Sequence, residues 1–281
     1  MVHLPRFIVA VVAFAWIFTT RAETNGAYAA HVAKLPKLQG FTIIVEPPFV
    51  VLGDEAAEMV NRRATGSVRW AVAKLKKDFF ARDPENIVDI WLFRDRDSYT
   101  NHAWTLFQDQ PTSPFGYYSA ENHALVMNIA TGGGTLIHEM THAFIHANFP
   151  ECPSWFNEGL ASLFEANSER NGHIIGTINW RYKNLEKAIQ ERRVISFKEL
   201  TSKRGSDFYS GKFYHEHYSQ ARYLCYYLQE KGLLHKFYRA FVKNVQTDPT
   251  GYETLRQILG NPDMTKFQSD WEKFIISIRP R

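Results

Sequence analysis

Cysteine is scarce in this chain, and neither internal repeats nor low-complexity segments are present. The 281 residues include 2 cysteines, 12 prolines and 16 glycines. Two cysteines exclude a zinc site built on four thiolates within one chain. Proline and glycine near their average abundance exclude a collagen-like chain. Because 45% of the residues are hydrophobic, the composition is that of a globular protein with a hydrophobic core.

The two cysteines, Cys152 and Cys225, permit one disulfide bond. Outside the cytosol an even number of cysteines is compatible with such a bond, and here only one pairing exists. Two small buried residues with free thiols are the alternative. Both interpretations stay open at the level of the sequence.

A large charge excess of one sign is also missing. Lysine and arginine total 33 and aspartate and glutamate total 29, which gives a net charge of +4. Pairs of adjacent basic residues occur, but each stands isolated among acidic residues, which is typical of a solvated surface. These pairs are Arg62-Arg63, Lys76-Lys77, Arg192-Arg193 and Lys203-Arg204. We therefore expect no nucleic-acid partner.

The first 22 residues have the pattern of a secretory signal peptide. Arg6 precedes an apolar run over residues 7–18, which is shorter than the roughly 20 residues of a membrane-spanning helix. Thr20-Arg21-Ala22 then supplies small residues at the positions that a signal peptidase reads. An uncleaved anchor is the alternative. We expect cleavage after Ala22, a secreted or periplasmic mature chain, and no membrane association after cleavage.

Hydrophobic periodicity divides the mature chain into a mixed first part and a helical second part. Predicted strands cover 41–45, 49–52, 87–93 and 124–129, and predicted helices cover 54–81 and 97–107. Further helices are predicted at 135–148, 154–166, 180–192, 214–231, 233–245, 250–259 and 264–278. The order indicates an α+β fold: a flexible segment over 23–39, an α+β lobe over 40–150 and a helical lobe over 151–281.

One short motif has the spacing of a metal site. Residues 138–142 read His-Glu-Met-Thr-His, which matches the pattern H-E-x-x-H. Two histidines four residues apart lie on one face of a helix, so both imidazoles can reach one divalent ion. The remaining residues of the helix are mostly apolar, which predicts that it is buried. Buried His and Glu side chains need partners, and a metal ion supplies them.

A catalytic zinc site needs a third protein ligand and one open position. We expect the first helix to end before Phe149-Pro150 and a second helix, beginning near Ser154, to contain Glu158. His142 then lies ~9 Å before the end of the first helix, and Glu158 lies ~6 Å into the second, at 1.5 Å per residue. A helical hairpin therefore returns Glu158 to nearly the level of His142.

Other nearby side chains were weighed as ligands. His146 lies eight residues after His138, or ~12 Å along the helix axis, which is too far for one ion to be shared with the other two histidines. Glu165 lies on the same helix face as Glu158, and either orients a histidine or forms a surface salt bridge. Glu151 in the loop is expected to be solvated.

The two motifs together resemble a known family. H-E-x-x-H followed by Asn157-Glu158-Gly159-Leu160-Ala161 is similar to the gluzincin metallopeptidases. The longer segments 136–142 and 153–161 resemble the peptidase MA-like group, including its secreted members, and this resemblance extends from about residue 115 to the C-terminus. The resemblance implies a zincin-like fold, in which a small mixed sheet precedes the metal helix. It implies one zinc ion per chain, with the ligands His138, His142 and Glu158. Glu139 is then the general base that activates a zinc-bound water.

The resemblance also implies a tyrosine or histidine of the helical lobe that stabilises the oxyanion. We assign this catalytic role to Tyr218, with His217 and Tyr214 as alternatives, although an aromatic residue of an amphipathic helix also packs into a core. In similar enzymes the strand before the metal helix, here 124–129, is an edge that pairs with an extended substrate. An ordinary sheet strand is the alternative, and the two are compatible. The glycines over 132–134 are expected to let the backbone pass close to the active cleft.

The sequence therefore predicts a secreted zinc metallopeptidase whose partner is a peptide or protein substrate. A zinc hydrolase that acts on a non-standard amide, in a cell wall or a modified peptide, would have the same metal site. A catalytically inactive metal-binding scaffold is the third alternative. The complete motif argues against the scaffold, because a purely structural site has no use for Glu139.

Overall fold

The computed structural model describes residues 26–119 and 121–278. The predicted signal peptide, residues 1–22, lies outside the described residues. Residues 26–34 form a helix, α1, within the segment 23–39 for which we expected a flexible start, and Tyr28 on this helix is buried. In the part of the chain that the structure describes, no helix is both long and apolar enough to cross a membrane.

Five strands form one mixed sheet. They are β1 (Thr42–Glu46), β2 (Phe49–Gly53), β3 (Val88–Phe93), β4 (Gly116–Ser119) and β5 (Ala124–Asn128). The strand order is β1-β2-β3-β5-β4, with β2, β3 and β5 parallel and with β1 and β4 antiparallel at the two edges. The three parallel strands are buried along their whole length, as is typical when helices cover both faces.

The structure places β5 inside the sheet, so our expectation that residues 124–129 form an edge is wrong. β4 pairs with β5, for example at Tyr117 and Val126, and is itself the edge strand. Sequence analysis missed β4 because four residues are too few to show a period, although tyrosines favour strands. Any pairing of the sheet with an extended peptide on this side therefore belongs to β4.

Helices cover both faces of the sheet. One face is covered by α2 (Ala57–Arg63), a π-helical turn (Ala64–Val68), α3 (Arg69–Asp78) and α5 (Gly134–Asn148). The other face is covered by α1 and α4 (Arg96–Phe107). The single helix predicted over 54–81 is therefore interrupted by a π-helical turn in the structure, and it begins at residue 57, three residues later than predicted. The predicted α4 and α5 agree with the structure within one residue at their N-terminal ends.

The second part of the chain is helical apart from one hairpin. Its elements are α6 (Ser154–Leu163), β6 (Asn167–Arg170), β7 (His173–Gly176), α7 (Arg181–Gln190), α8 (Phe197–Ser202), α9 (Ser206–Tyr209), α10 (Tyr214–Glu230), α11 (Leu234–Asn244), α12 (Tyr252–Ile258) and α13 (Met264–Ser277). The α+β class is confirmed, but the expectation of helices alone after residue 135 is wrong at β6 and β7. Asn171 and Gly172 connect these strands with φ of 55° and 80°, and Asn-Gly is a strong hairpin signal.

The larger cluster of buried side chains extends through both predicted lobes, from Phe49 on β2 to Ile275 on α13. Within it α6 packs closely against α10. A Cβ atom at Gly159 would lie 2.9 Å from the carbonyl oxygen of Ala221, so only glycine allows this approach. The contact fixes the position of α6 against α10, and with it the position of Glu158.

The two cysteines are free, so the disulfide left open by the sequence does not form in this structure. Cys225 on α10 is fully buried and Cys152 is half-buried. Burial raises the pKa of both thiols above the ordinary value. Both side chains therefore pack as small apolar groups.

Candidate metal centre

The N-terminal end of α5 lies directly against the chain segment that follows α6. A Cβ atom at Gly134, the first residue of α5, would lie 2.2 Å from the carbonyl oxygen of Glu165. Of the three glycines over 132–134, Gly134 is the one whose backbone lies against another chain segment, whereas Gly132 and Gly133 have open space around them. This contact brings His138, one turn further along α5, next to the Glu165 side chain.

Three predicted ligand side chains converge between α5 and α6. The Nε2 atoms of His138 and His142 are 2.9 Å apart. Oε2 of Glu158 lies 3.4 Å from Nε2 of His138 and 3.6 Å from Nε2 of His142. Ligand atoms bound tetrahedrally to zinc at its usual distances lie about 3.3 Å from one another. The three residues therefore lie close enough to hold one metal ion.

The outer nitrogen of each imidazole lies near an oxygen of another side chain. Oδ1 of Asn157 lies 2.9 Å from Nδ1 of His142, and Oε1 of Glu165 lies 3.2 Å from Nδ1 of His138. The hydrogen bond with Asn157 favours the tautomer of His142 whose proton is on Nδ1, which leaves the lone pair of its Nε2 directed at the cluster. Glu165 contacts His138 as an ion pair, and Nδ1 of His138 makes no hydrogen bond. Oε2 of Glu158 is buried without a hydrogen-bond donor. A cation at the centre would give a partner to this oxygen and to the Nε2 atoms of both histidines.

The charges around the cluster favour a positive charge at its centre. Burial by itself raises the pKa of Glu158, but contacts with His138 and His142 hold that pKa well below its ordinary value. Burial by itself lowers the pKa of His138, yet contacts with Glu158 and Glu165 raise it above the ordinary value. The buried carboxylates therefore stay ionised and attract a cation, whether a proton or a metal ion.

The carboxylate of Glu165 contacts a histidine of the cluster, His138. This contact corresponds to the first of the two roles considered for Glu165, the one beside a histidine. Arg181 at the start of α7 donates two hydrogen bonds to the Glu165 carboxylate, of 2.8 Å and 2.6 Å. Burial opposes ionisation of Glu165, but Arg181 and His138 lower its pKa below the ordinary value. Sequence analysis missed Arg181, because its helix approaches α6 only through the tertiary fold.

Tyr209 is a further side chain at the cluster that sequence analysis missed. Its hydroxyl donates a 3.0 Å hydrogen bond to Oε1 of Glu158, the oxygen that faces away from the histidines. Tyr209 belongs to the four-residue helix α9, which is too short to show any periodicity. The hydroxyl leaves only Oε2 of Glu158 free for the centre of the cluster.

Tyr218 lies beside Tyr209, next to the cluster. Its ring lies 6.1 Å from that of Tyr209, between centroids, and burial together with the charge of Glu158 raises the pKa of its hydroxyl. The two alternatives have other surroundings. Nδ1 of His217 lies 3.1 Å from the carbonyl oxygen of Phe208, and the Tyr214 ring is exposed and stacks on its neighbour His215.

Glu139 lies outside the group of three ligands, on the adjacent part of α5, and is half-buried. Its charge reaches two neighbours: it helps to raise the pKa of His138, and it raises that of Tyr99, for which burial is the larger cause. His146 is exposed and is not part of the cluster, as the spacing predicted. Glu151 is exposed and accepts a hydrogen bond from Gln246.

A cavity of about 620 Å³ opens beside His142. Its wall includes Asn157 of α6, His146 of α5, and Tyr118 and His123 at the end of the β4–β5 hairpin. The volume lies within the roughly 300–1,000 Å³ of typical ligand sites. One of the three candidate ligands, His142, therefore borders a space of the size of a ligand site.

Comparison with protein-family models matches residues 132–250 to DUF1570, a family described as a protein of unknown function. The matched segment begins two residues before α5 and includes the three side chains of the cluster as well as Glu165, Tyr209 and Tyr218. A comparison with curated proteins gives no match. The chain is thus similar to this family over the segment that forms the candidate metal centre.

Proposed function

We propose that the chain is a secreted zinc metallopeptidase of gluzincin type. The observation that carries the proposal is the convergence of His138, His142 and Glu158 on one point, with Glu139 next to them on α5. Two imidazoles and one carboxylate are the donor set of catalytic zinc sites, which keep a fourth position open. Residues 1–22 act as the signal peptide that exports the chain.

A zinc ion held by these three side chains would supply Lewis acidity, which polarises a peptide carbonyl and makes a water molecule more acidic. The protein performs the proton transfers. Glu139 accepts the proton of the attacking water and then delivers it to the leaving amine. Because Glu139 has no hydrogen-bond partner among the described side chains, its carboxylate is available for both steps.

The remaining residues orient the site. Glu165 and Asn157 hold the two imidazole rings through Nδ1, and Arg181 holds Glu165. Tyr209 donates to Oε1 of Glu158, and the hydroxyl of Tyr218, whose ring lies beside that of Tyr209, is the donor that stabilises the oxyanion of the tetrahedral intermediate. The cavity beside His142 takes the adjoining part of the substrate.

The test compares the wild type with Glu139→Gln and Glu158→Ala. We expect one zinc per chain and peptide cleavage for the wild type, zinc without cleavage for Glu139→Gln, and strongly weakened zinc binding for Glu158→Ala. Zinc content is measured by mass spectrometry, and cleavage is measured on a peptide library. Full activity of zinc-loaded Glu139→Gln would remove that residue from its role.

A second outcome would point to another amide substrate. If the wild type binds zinc but cleaves no library peptide, while it cleaves cell-wall or modified peptides, the chemistry is retained and the substrate class changes. Folded wild-type protein that binds no zinc would contradict the proposal as a whole.

A further inference from the structure

A shallow groove of about 290 Å³ lies at the C-terminal end of α4, away from the metal cluster. It is lined by Thr100, Trp104, Asp109, Gln110 and Pro111. Its volume is at the lower end of the roughly 300–1,000 Å³ of ligand sites, which suits a single side chain better than a whole ligand.

The groove combines an exposed indole with a carboxylate. Trp104 is 51% exposed, so about half of this large apolar side chain is accessible to a ligand. Oδ2 of Asp109 accepts a 2.8 Å hydrogen bond from the hydroxyl of Tyr117, so the carboxylate is held in place. Among the ion pairs of the described residues, Asp109 has no cationic partner.

Three features of the groove attract a cation. The face of a tryptophan ring binds ammonium and guanidinium groups through its quadrupole. The carboxylate of Asp109 adds a full negative charge. The C-terminal end of the twelve-residue helix α4 adds a partial negative charge, and no basic residue in its last turn neutralises that end.

The groove lies next to the edge strand of the sheet. Tyr117, which holds Asp109, belongs to β4 and packs on the same side of the sheet as α4. An extended peptide that paired with the free edge of β4 would direct alternate side chains to the two faces of the sheet. Side chains on one face would meet the cavity beside His142, and those on the other face would meet the groove.

We infer that this groove binds the positively charged side chain of a lysine or arginine in the peptide substrate. The inference rests on the proposed peptidase function and adds a substrate preference to it. Trp104 stacks on the cation, and Asp109 pairs with its charge. A neutral side chain of equal length gains neither interaction.

The test measures binding to the zinc-loaded Glu139→Gln protein, in which peptides stay intact. The probes are a short peptide of alternating alanine and lysine and the same peptide with every lysine Nε-acetylated, which removes the charge. We expect the lysine peptide to bind about five- to thirty-fold more tightly, from a cation–π contact and a partly exposed ion pair. High salt should reduce the preference.

Variants then assign the preference to the groove. Asp109→Asn retains an oxygen that accepts from the Tyr117 hydroxyl, and Trp104→Phe retains an aromatic ring if Trp104→Ala proves unstable. We expect Asp109→Asn and Trp104→Ala each to remove most of the preference. Asp97→Asn is the matched control, because it removes a carboxylate from the exposed N-terminal end of the same helix, and it should leave the preference intact.

Equal binding of both peptides, or a preference that survives Asp109→Asn and Trp104→Ala, would overturn the inference. Equally strong and selective binding of Nα-acetyl-lysine methylamide, which has no extended backbone, would overturn the assignment to a substrate on β4. If the wild type cleaves peptides without a charge preference, the peptidase proposal is retained and the groove inference is overturned. A groove-dependent preference in binding without any cleavage would contradict the peptidase proposal only.

Discussion

Oε1 of Glu165 lies 3.2 Å from Nδ1 of His138, on the side of the imidazole ring opposite to the metal cluster. Nε2 of the same ring faces His142 at 2.9 Å. Arg181 holds the carboxylate beside the imidazole ring through two hydrogen bonds. We therefore expect this carboxylate, which lies outside the three candidate ligands, to influence how His138 binds a metal.

Glu165→Gln should weaken zinc binding by about ten- to a hundred-fold, as is typical when the partner of a metal-binding histidine is lost. The amide keeps the size of the side chain but loses the charge that orients His138. Competition with a chromogenic chelator measures the affinity. Glu58→Gln is the control, because Glu58 is an exposed carboxylate on α2, and it should bind zinc as the wild type does. Unchanged affinity in Glu165→Gln would contradict the role assigned to this carboxylate.

Tyr209→Phe and Tyr218→Phe should have different effects. The Tyr209 hydroxyl contacts Oε1 of Glu158, so its removal should lower zinc affinity by at most about ten- to a hundred-fold, which corresponds to the 1.5–3 kcal/mol of a hydrogen bond to a charged group. Tyr218→Phe should bind zinc normally and should lower kcat by about a hundred-fold if its hydroxyl stabilises the oxyanion. Chelator competition and steady-state kinetics separate the two. The reverse pattern would exchange the roles of the two tyrosines.

Gly134→Ala should disturb the metal centre, although glycine is not a ligand. Its new Cβ atom would lie 2.2 Å from the carbonyl oxygen of Glu165, so the backbone of Glu165 must shift away from His138. We expect lower stability in urea unfolding and weaker zinc binding. Gly133→Ala is the matched control, because nothing lies within 4 Å of its Cβ position, and it should match the wild type. Equal effects of both substitutions would argue against the contact.

Metal affinity should rise with pH. In the metal-free protein, contacts with Glu158 and Glu165 raise the pKa of His138 above its ordinary value of 6.5, although burial opposes them. His138 therefore keeps its proton at neutral pH, and a metal ion must displace that proton. We expect the affinity to increase by up to about tenfold per pH unit between pH 6.5 and 8.5, as one proton is released. Calorimetry in buffers of different ionisation enthalpy counts the protons, and a count of zero would contradict this expectation.

Stability of the metal-free protein should have the opposite dependence in the same range. The raised pKa of His138 contributes stability that is complete below pH 6.5 and is lost as the pH rises. The lowered pKa of Glu158 contributes stability that is present above pH 4.5 and is lost as the pH falls. The contribution of this pair is therefore largest between these two values. Urea midpoints of metal-free protein at pH 3.5, 5.5 and 8.5 measure it, and Glu158→Ala should flatten the profile.

Much of the fold could be predicted from the sequence because its elements are long or strongly periodic. α5 and α10 appear within one residue of their predicted N-terminal ends, and the parallel strands β2 and β3 appear as buried runs. Most of the misses are short elements; the exception is α1, which lies in the segment 23–39 that we expected to be flexible. β4, α8 and α9 have four to six residues, which is too few for a period to develop, and the β6–β7 hairpin was indicated by Asn171-Gly172 alone.

The sequence by itself determined the chemistry of the candidate site. H-E-x-x-H on one helix and Glu158 on the next are local patterns, and helix geometry alone returns the carboxylate to the level of His142. The identity and spacing of these three side chains therefore follow from the order of the residues.

Only the tertiary structure decided what surrounds them. Arg181, Tyr209 and the β4 edge reach the site from elements that are distant in sequence, and their approach depends on close packing, such as that of Gly159 against Ala221. Such packing depends on the shapes of many side chains at once. For this reason the ligands could be predicted from local spacing, whereas the residues that hold and align them could not.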